Sequence, residues 1–282
     1  MTPRPRRTPG TPGTLGTPRT SRTPRTPRTS GTSGTYLYCV IAAHKRPPVA
    51  KVPGPPGTRP PRLLEIQPNR YLVVSDAPLD AFGEGPLGQR LSDMEWVSQA
   101  AVAHDAVIEQ FIDADAVLPM KVFTIFTSDE RALAQTRADW DRIEALLRDV
   151  EGQAEWGLRL MFDQRNAPAP AATPRAVSGR SYLVAKQKQH VATLAGSRRL
   201  RQRATGIVGE LSAIARDVRQ RPLTTAATSG SRLLLDAAFL VPRSREKRFR
   251  TAVARQTRKL APEGYAVHLS GPWPPYSFVG GV

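Results

Sequence analysis

The chain is poor in the residues that carry most covalent and metal chemistry. It has one cysteine and four histidines, and only 6% of it is aromatic. A single cysteine, Cys39, excludes an intrachain disulfide and fits a reducing compartment. Cys39 lies inside the apolar run Tyr36-Leu-Tyr-Cys-Val-Ile-Ala-Ala43 and reads as a buried strand residue, because a free thiol packs as a small hydrophobe. His44, His104, His190 and His268 show no paired metal-ligand spacing, so neither a metal nor a cofactor is expected. No apolar run approaches the ~20 residues needed to span a bilayer. The basic N-terminus is not followed by an apolar stretch, so it does not read as a secretory signal.

Catalytic constellations are equally scarce. No Ser or Cys sits in an elbow-type turn. Gly83-Glu-Gly85 with Gly88 has the look of a phosphate loop but lacks the following Lys-Ser/Thr. His104, Asp105 and Glu109 share one predicted helix, yet Asp105 is adjacent to His104 and points elsewhere, while His104 falls on the apolar stripe. His104 therefore reads as a structural or interface residue, and the chain as no enzyme.

Acidic residues are unevenly missing. Residues 1–34 carry seven Arg and no acid, residues 35–176 sum to −4, and residues 177–282 sum to +14, within a net charge of +17. A mildly acidic first half joined to a strongly basic second half suits a head-to-tail or acidic-partner contact; the alternative is a solvated basic surface. Two dense runs, Arg198-Arg-Leu-Arg-Gln-Arg203 and Arg243-Ser-Arg-Glu-Lys-Arg-Phe-Arg250, also allow phosphate tracking by a nucleic-acid-binding module. No base-reading motif or exposed aromatic pair accompanies them, so this is the weaker reading.

Residues 1–34 repeat Thr-Pro-Arg and Thr-Pro-Gly and hold too little apolar area to offset ordering entropy, so a disordered tail is expected, or an upstream extension from a wrong start codon. Its Arg residues suit contact with nucleic acid or with acidic surfaces. Strands are expected at 36–43, 62–67 and 70–76, the last two joined as a hairpin through Pro68-Asn69. A helix over about 92–114 presents Val97, Ala101, His104, Ile108 and Phe111 on one side. A strand follows at 118–126. Thr127 and Glu130 then fit a capping box opening a helix to about Val150, and 155–162 reads as the strand that closes this half.

The Pro/Ala-rich stretch at 166–177 reads as a linker between an N-terminal domain, 35–165, and a basic C-terminal domain, 178–282. The second half is expected to run as strand 180–185, basic helix 186–221, strand 231–241, helix 244–260 and strand 265–269. The fold class is α+β: two small α/β-sandwich domains with helices on one face of each sheet, the first ferredoxin-like, the second ferredoxin-like or βαβαβ.

Close to the end of the sequence runs Gly271-Pro272-Trp273-Pro274-Pro275-Tyr276-Ser277-Phe278-Val279, with three aromatics and three prolines in eight residues. Proline stiffens such a segment, and Trp and Tyr supply apolar area with a polar handle. It is either a rigid recognition surface or a closing strand packed on the core. This segment resembles the closing motif of the gas vesicle protein GvpL/GvpF family. Tyr36-Leu-Tyr-Cys-Val-Ile41 resembles that family's opening strand, Trp96 to Glu109 its long first helix, and Val117-Leu-Pro-Met-Lys-Val-Phe-Thr-Ile-Phe126 its next strand region. Glu155-Trp-Gly-Leu-Arg-Leu160, Gly179-Arg-Ser-Tyr-Leu183 and Leu235-Asp-Ala-Ala-Phe-Leu-Val241 continue the likeness in order.

The resemblance implies a two-domain fold, the first domain a modified ferredoxin-like one. It implies a non-enzymatic accessory or minor structural protein of gas vesicles, within the cytoplasm. Such a protein acts in shell assembly and contacts the main shell protein GvpA and other accessory proteins. Trp273, Tyr276 and Phe278 are the candidate aromatic contacts, and Arg198, Arg199, Arg245 and Arg248 the candidate charged ones.

Overall fold

The computed structural model describes residues 33–163, 196, 198–223 and 231–279. The N-terminal tail, apart from its last two residues, lies outside them, as do the expected linker at 166–177 and strand at 180–185. The chain from Gly31 to Val282 forms one compact unit, an α+β structure with two antiparallel sheets.

The first sheet is built on β1 (Ser33–Ala42), buried along nearly its whole length. The hairpin of β2 (Arg62–Gln67) and β3 (Arg70–Pro78) flanks one side, and β4 (Ala116–Pro119) the other. The order β2-β3-β1-β4 is that of a ferredoxin-like sheet. It is modified because β1 reaches β2 through the Pro-rich segment 43–61 instead of a helix. The hairpin turns at Pro68-Asn69 as expected, with Asn69 at φ 64°, a left-handed conformation that Asn tolerates.

Both faces of this sheet are covered, not one. Tyr36, Tyr38 and Ile41 pack with Val107, Ile108 and Phe111, while Leu37, Val40 and Ala42 pack with Ala132, Ile143, Leu147 and Val150. A strand apolar on both sides has no solvent face, and this accounts for the continuous apolar run at 36–43. A bulge between Leu37 and Cys39 lets Tyr38 and Cys39 serve the same cluster. Cys39 is fully buried, and burial pushes its thiol pKa up.

The helices on the first face are α1 (Leu79–Phe82), α2 (Glu84–Arg90) and α3 (Met94–Glu109). Gly85 and Gly88 lie inside α2, so the glycine stretch is helix and not a loop. Asp93 caps α3 by accepting from the Glu95 and Trp96 amides. On the second face are α4 (Asp129–Ala138) and α5 (Trp140–Val150), one expected helix broken at Asp139. The cap of α4 is Ser128, which accepts from the Arg131 amide, one residue beyond the expected Thr127. The strand expected at 118–126 is β4 and the short β5 (Ile125–Phe126), separated by a turn in which Phe123 takes φ 66°.

The second sheet has the order β7-β8-β6-β9, with β6 (Gln153–Asp163), β7 (Asp217–Gln220), β8 (Ser231–Pro242) and β9 (Tyr265–Trp273). Here the structure corrects the sequence reading. β6 does not close the first half; it pairs with β8 and β9. The basic helical region also ends earlier than expected: its described residues 198–212 are helix, labelled α6, after which the chain turns into β7. The helix α7 (Glu246–Leu260) falls where periodicity placed it, after a short 3-10 turn at Arg243–Arg245. On the inner face, Trp156, Leu158 and Leu160 pack with Leu235, Phe239, Ile207, Leu211, Phe249 and Val253. The outer face of this sheet presents Glu155, Arg159, Asp236, Ala238 and Leu240, and the end of the chain lies across it.

Candidate partner interface

The C-terminal segment is a strap tied at several points. β9 runs on to Trp273, which pairs opposite Glu155. Gly271 takes φ 120°, and a Cβ there would meet the Glu155 carbonyl oxygen at 2.8 Å, so only glycine fits. The chain then turns through Pro274 and Pro275, with the Tyr276 amide donating to Pro274 O and the Phe278 amide to Pro275 O.

Glu155, 3% exposed, is the anchor. One carboxylate oxygen accepts from the Ser277 amide at 2.7 Å; the other accepts from Ser277 Oγ at 2.7 Å and Arg221 Nη2 at 3.1 Å. Arg219 donates to the carbonyl of Ser277 at 2.6 Å and sits over the Phe278 ring at 5.3 Å. Asp236 holds Arg159 and Arg221 from below. Tyr276 reaches the first half of the chain, its hydroxyl donating to Asp105 on α3 at 3.0 Å. Burial and the neighbouring Asp105 carboxylate raise the Tyr276 pKa, so the phenol stays neutral.

The three candidate aromatics thus separate. Trp273 is 39% exposed, and Tyr276 is exposed on its ring but tethered at its hydroxyl. Phe278 is 7% exposed and packs on Ala238 and Leu240. It closes an internal contact and is withdrawn from the surface, contrary to its place among the candidate contact residues. Val279 reaches across to the cluster of Leu118, Leu147 and Val150.

The candidate basic residues lie on a different face. Arg198 and Arg199 are exposed on α6, Arg245 on the 3-10 turn and Arg248 on α7. Between α6 and α7 opens a groove of about 650 Å³, with Ile214 and Ala252 in its floor and Lys247, Arg248 and Arg255 on its rim. Glu210 inside it pairs with Arg255 and Gln256, and Arg255 holds the Glu210 carboxyl below its usual range.

His104 is 1% exposed. Its Nε2 faces the Met120 carbonyl at 3.2 Å and its Nδ1 the Tyr36 hydroxyl at 2.9 Å. The consistent tautomer donates from Nε2 and accepts at Nδ1. The Tyr36 oxygen also accepts from the Phe123 amide, so the pair holds the turn carrying that left-handed residue. Burial lowers the His104 pKa, keeping the ring neutral. This is the geometry of a positioning histidine.

Among the described residues no helix is long and apolar enough to cross a membrane, and no cluster of His, Cys, Asp and Glu is arranged to hold a metal.

A family profile described as gas vesicle synthesis protein GvpL/GvpF matches residues 34–280. The chain belongs to the GvpL/GvpF family. Its relatives include gas vesicle protein L of Streptomyces sp. (strain CB03234), 33% identical over 238 residues, covering 79% of this chain and 85% of that protein. Gas vesicle protein L2 of Halobacterium salinarum is 28% identical over 210 residues, covering 66% and 72%. The crystal structure of GvpF from Anabaena sp. PCC7120 superposes with a TM-score of 0.64 at 17% identity, covering 89% of this chain and 97% of that one. GvpF from Microcystis aeruginosa gives 0.60 at 17% identity, covering 87% and 98%. At that identity the likeness establishes the fold. Membership in GvpL/GvpF gives the chain a gas-vesicle-related role.

Proposed function

We propose that this GvpL/GvpF chain is a non-enzymatic assembly factor that holds the main shell protein GvpA during gas vesicle formation, and that it works at gas vesicles within the cytoplasm alongside other accessory proteins. The carrying observation is the exposed Trp273 ring on a strap fixed by β9 pairing before it and the Glu155–Ser277 bonds after it. A pre-ordered aromatic loses little entropy on binding and can bury its apolar area against an apolar subunit. Tyr276 extends the same surface. Arg198, Arg199, Arg245 and Arg248 supply a separate, salt-sensitive contribution toward acidic partners.

The test is retention of co-expressed GvpA by the purified chain at low and moderate salt, with a nucleic-acid control. GvpA retained in the absence of nucleic acid, and lost in Trp273→Ala, supports the reading. Nucleic acid retained instead of GvpA defeats it and turns attention to the basic face.

A further inference from the structure

The outward face of α3 is chemically unfinished. Its inner residues Ala100, His104, Val107 and Ile108 are buried on the first sheet. On the opposite side Met94 is 74% exposed and Val102 67% exposed, with Leu91 exposed just before the helix. At 100° per residue, Met94, Ser98, Val102, Asp105 and Glu109 share that outward side and Glu95 borders it; of these Asp105 is already engaged by the Tyr276 hydroxyl. The result is an apolar stripe edged with carboxylates.

The groove between α6 and α7 is its counterpart in chemistry. It has an apolar floor of Ile214 and Ala252, and no acid among the described residues pairs with Lys247 or Arg248 on its rim. Within one chain the two surfaces do not meet, since Met94 and Val102 remain exposed and the groove remains open. The charge division has the same sense: −4 over residues 35–176 against +14 over residues 177–282.

We propose that a second copy of this chain occupies the groove, its α3 stripe seated on Ala213 and Thr251 over the nearly buried Ile214 and Ala252, and its Glu95 and Glu109 facing Lys247 and Arg248. Such a contact joins two different patches, so each added copy still offers one free stripe and one free groove. It builds strings rather than a closed two-fold dimer, unless the rotation closes a ring.

The experiment is sedimentation velocity of the full chain over a range of concentrations. At about 50 mM salt, species heavier than dimer grow with concentration; at about 500 mM the apparent dissociation constant rises roughly tenfold or more, as screening removes the charge attraction. Met94→Lys with Val102→Lys disables the stripe, and Lys247→Glu with Arg248→Glu disables the groove. All four positions are exposed, so circular dichroism and melting should match the parent chain. Each variant alone is monomeric. Mixed in equal amounts they form a dimer and nothing larger, because the one intact stripe meets the one intact groove. A parent chain that stays monomeric at low salt, self-association that survives in both variants, or a mixture that yields no dimer overturns the proposal.

Discussion

Trp273 and Phe278 are five residues apart on one strap and are placed for opposite purposes. Phe278 is buried on Ala238 and Leu240 beneath the Arg219 guanidinium, so Phe278→Ala should cost about 3 kcal/mol by loss of transfer energy and a residual cavity. Trp273 is 39% exposed, so Trp273→Ala should cost less than about 1 kcal/mol of stability while weakening shell-protein binding roughly tenfold or more. Denaturant unfolding beside a binding titration checks both; equal stability losses would mean that Trp273 is a core residue. His104 supports a second residue-level prediction. Its folded pKa is lowered by burial, so below the ordinary histidine value of about 6.5 the unfolded chain takes up a proton that the native ring refuses. Its contribution to stability is complete above that value and is lost as pH falls toward the lower folded one. His104→Gln should flatten this part of the stability–pH curve below about pH 6.5, at some cost in absolute stability. The histidine's burial was legible in the sequence from its place on the apolar stripe. Its bonds to Tyr36 and Met120 were not, because no local pattern reports a partner 68 residues away.

At the level of elements, the helix following β5 separates what a local pattern can specify from what it cannot. Thr127 and Ser128 are both competent caps, and Glu130 suggested the first. The chain uses Ser128, whose Oγ accepts from the Arg131 amide, and the interaction of Glu130 with Ser128 holds the Glu130 carboxyl below its usual range. Ser128→Ala should therefore lower stability by about 1 kcal/mol and Thr127→Ala by a few tenths, as thermal melts of the two variants would reveal. Strand and helix positions followed from period and turn chemistry: the hairpin at Pro68-Asn69, the apolar side of α7 and the body of β8 are where alternation put them. The allegiance of β6 did not follow. Alternating apolar residues at 154, 156, 158 and 160 define one buried face but carry no information about which strand lies alongside. The partner turned out to be β8, on the far side of the expected linker. Likewise the burial of β1 was written in its unbroken apolar run, but the presence of helices on both faces was not, and helices α1 and α2 were hidden by glycines and a proline that argue against helix.

For the molecule as a whole, the strap joins the two sheets. Its anchor Glu155 belongs to β6, its Val279 packs in the cluster of the first sheet, and its Tyr276 hydroxyl reaches α3. Glu155 is nearly enclosed, while Arg221 opposite it is 44% exposed at the side chain, so much of the carboxylate's compensation comes from the two Ser277 bonds. Ending the chain after Pro275 would remove both bonds and the Phe278 packing, uncover Ala238 and Leu240, and open Glu155 to solvent with one half-exposed partner. Loss of the Phe278 packing and of the two hydrogen bonds together costs about 3–5 kcal/mol. At roughly 2–4 °C per kcal/mol for a chain of this size, the melting temperature should fall by about 10 °C. Glu155→Gln in the full chain keeps the apolar cover and loses the charge-assisted bonds, so its fall should be smaller. Combining it with the truncation should lower stability little beyond the truncation alone, because both changes break the same contact and such effects do not add. A truncated chain that melts with the parent would show that the aromatic end merely rests on the second sheet. A melt lowered by truncation and by Glu155→Gln, non-additively, would identify the strap as the tie on which the position of Trp273 depends.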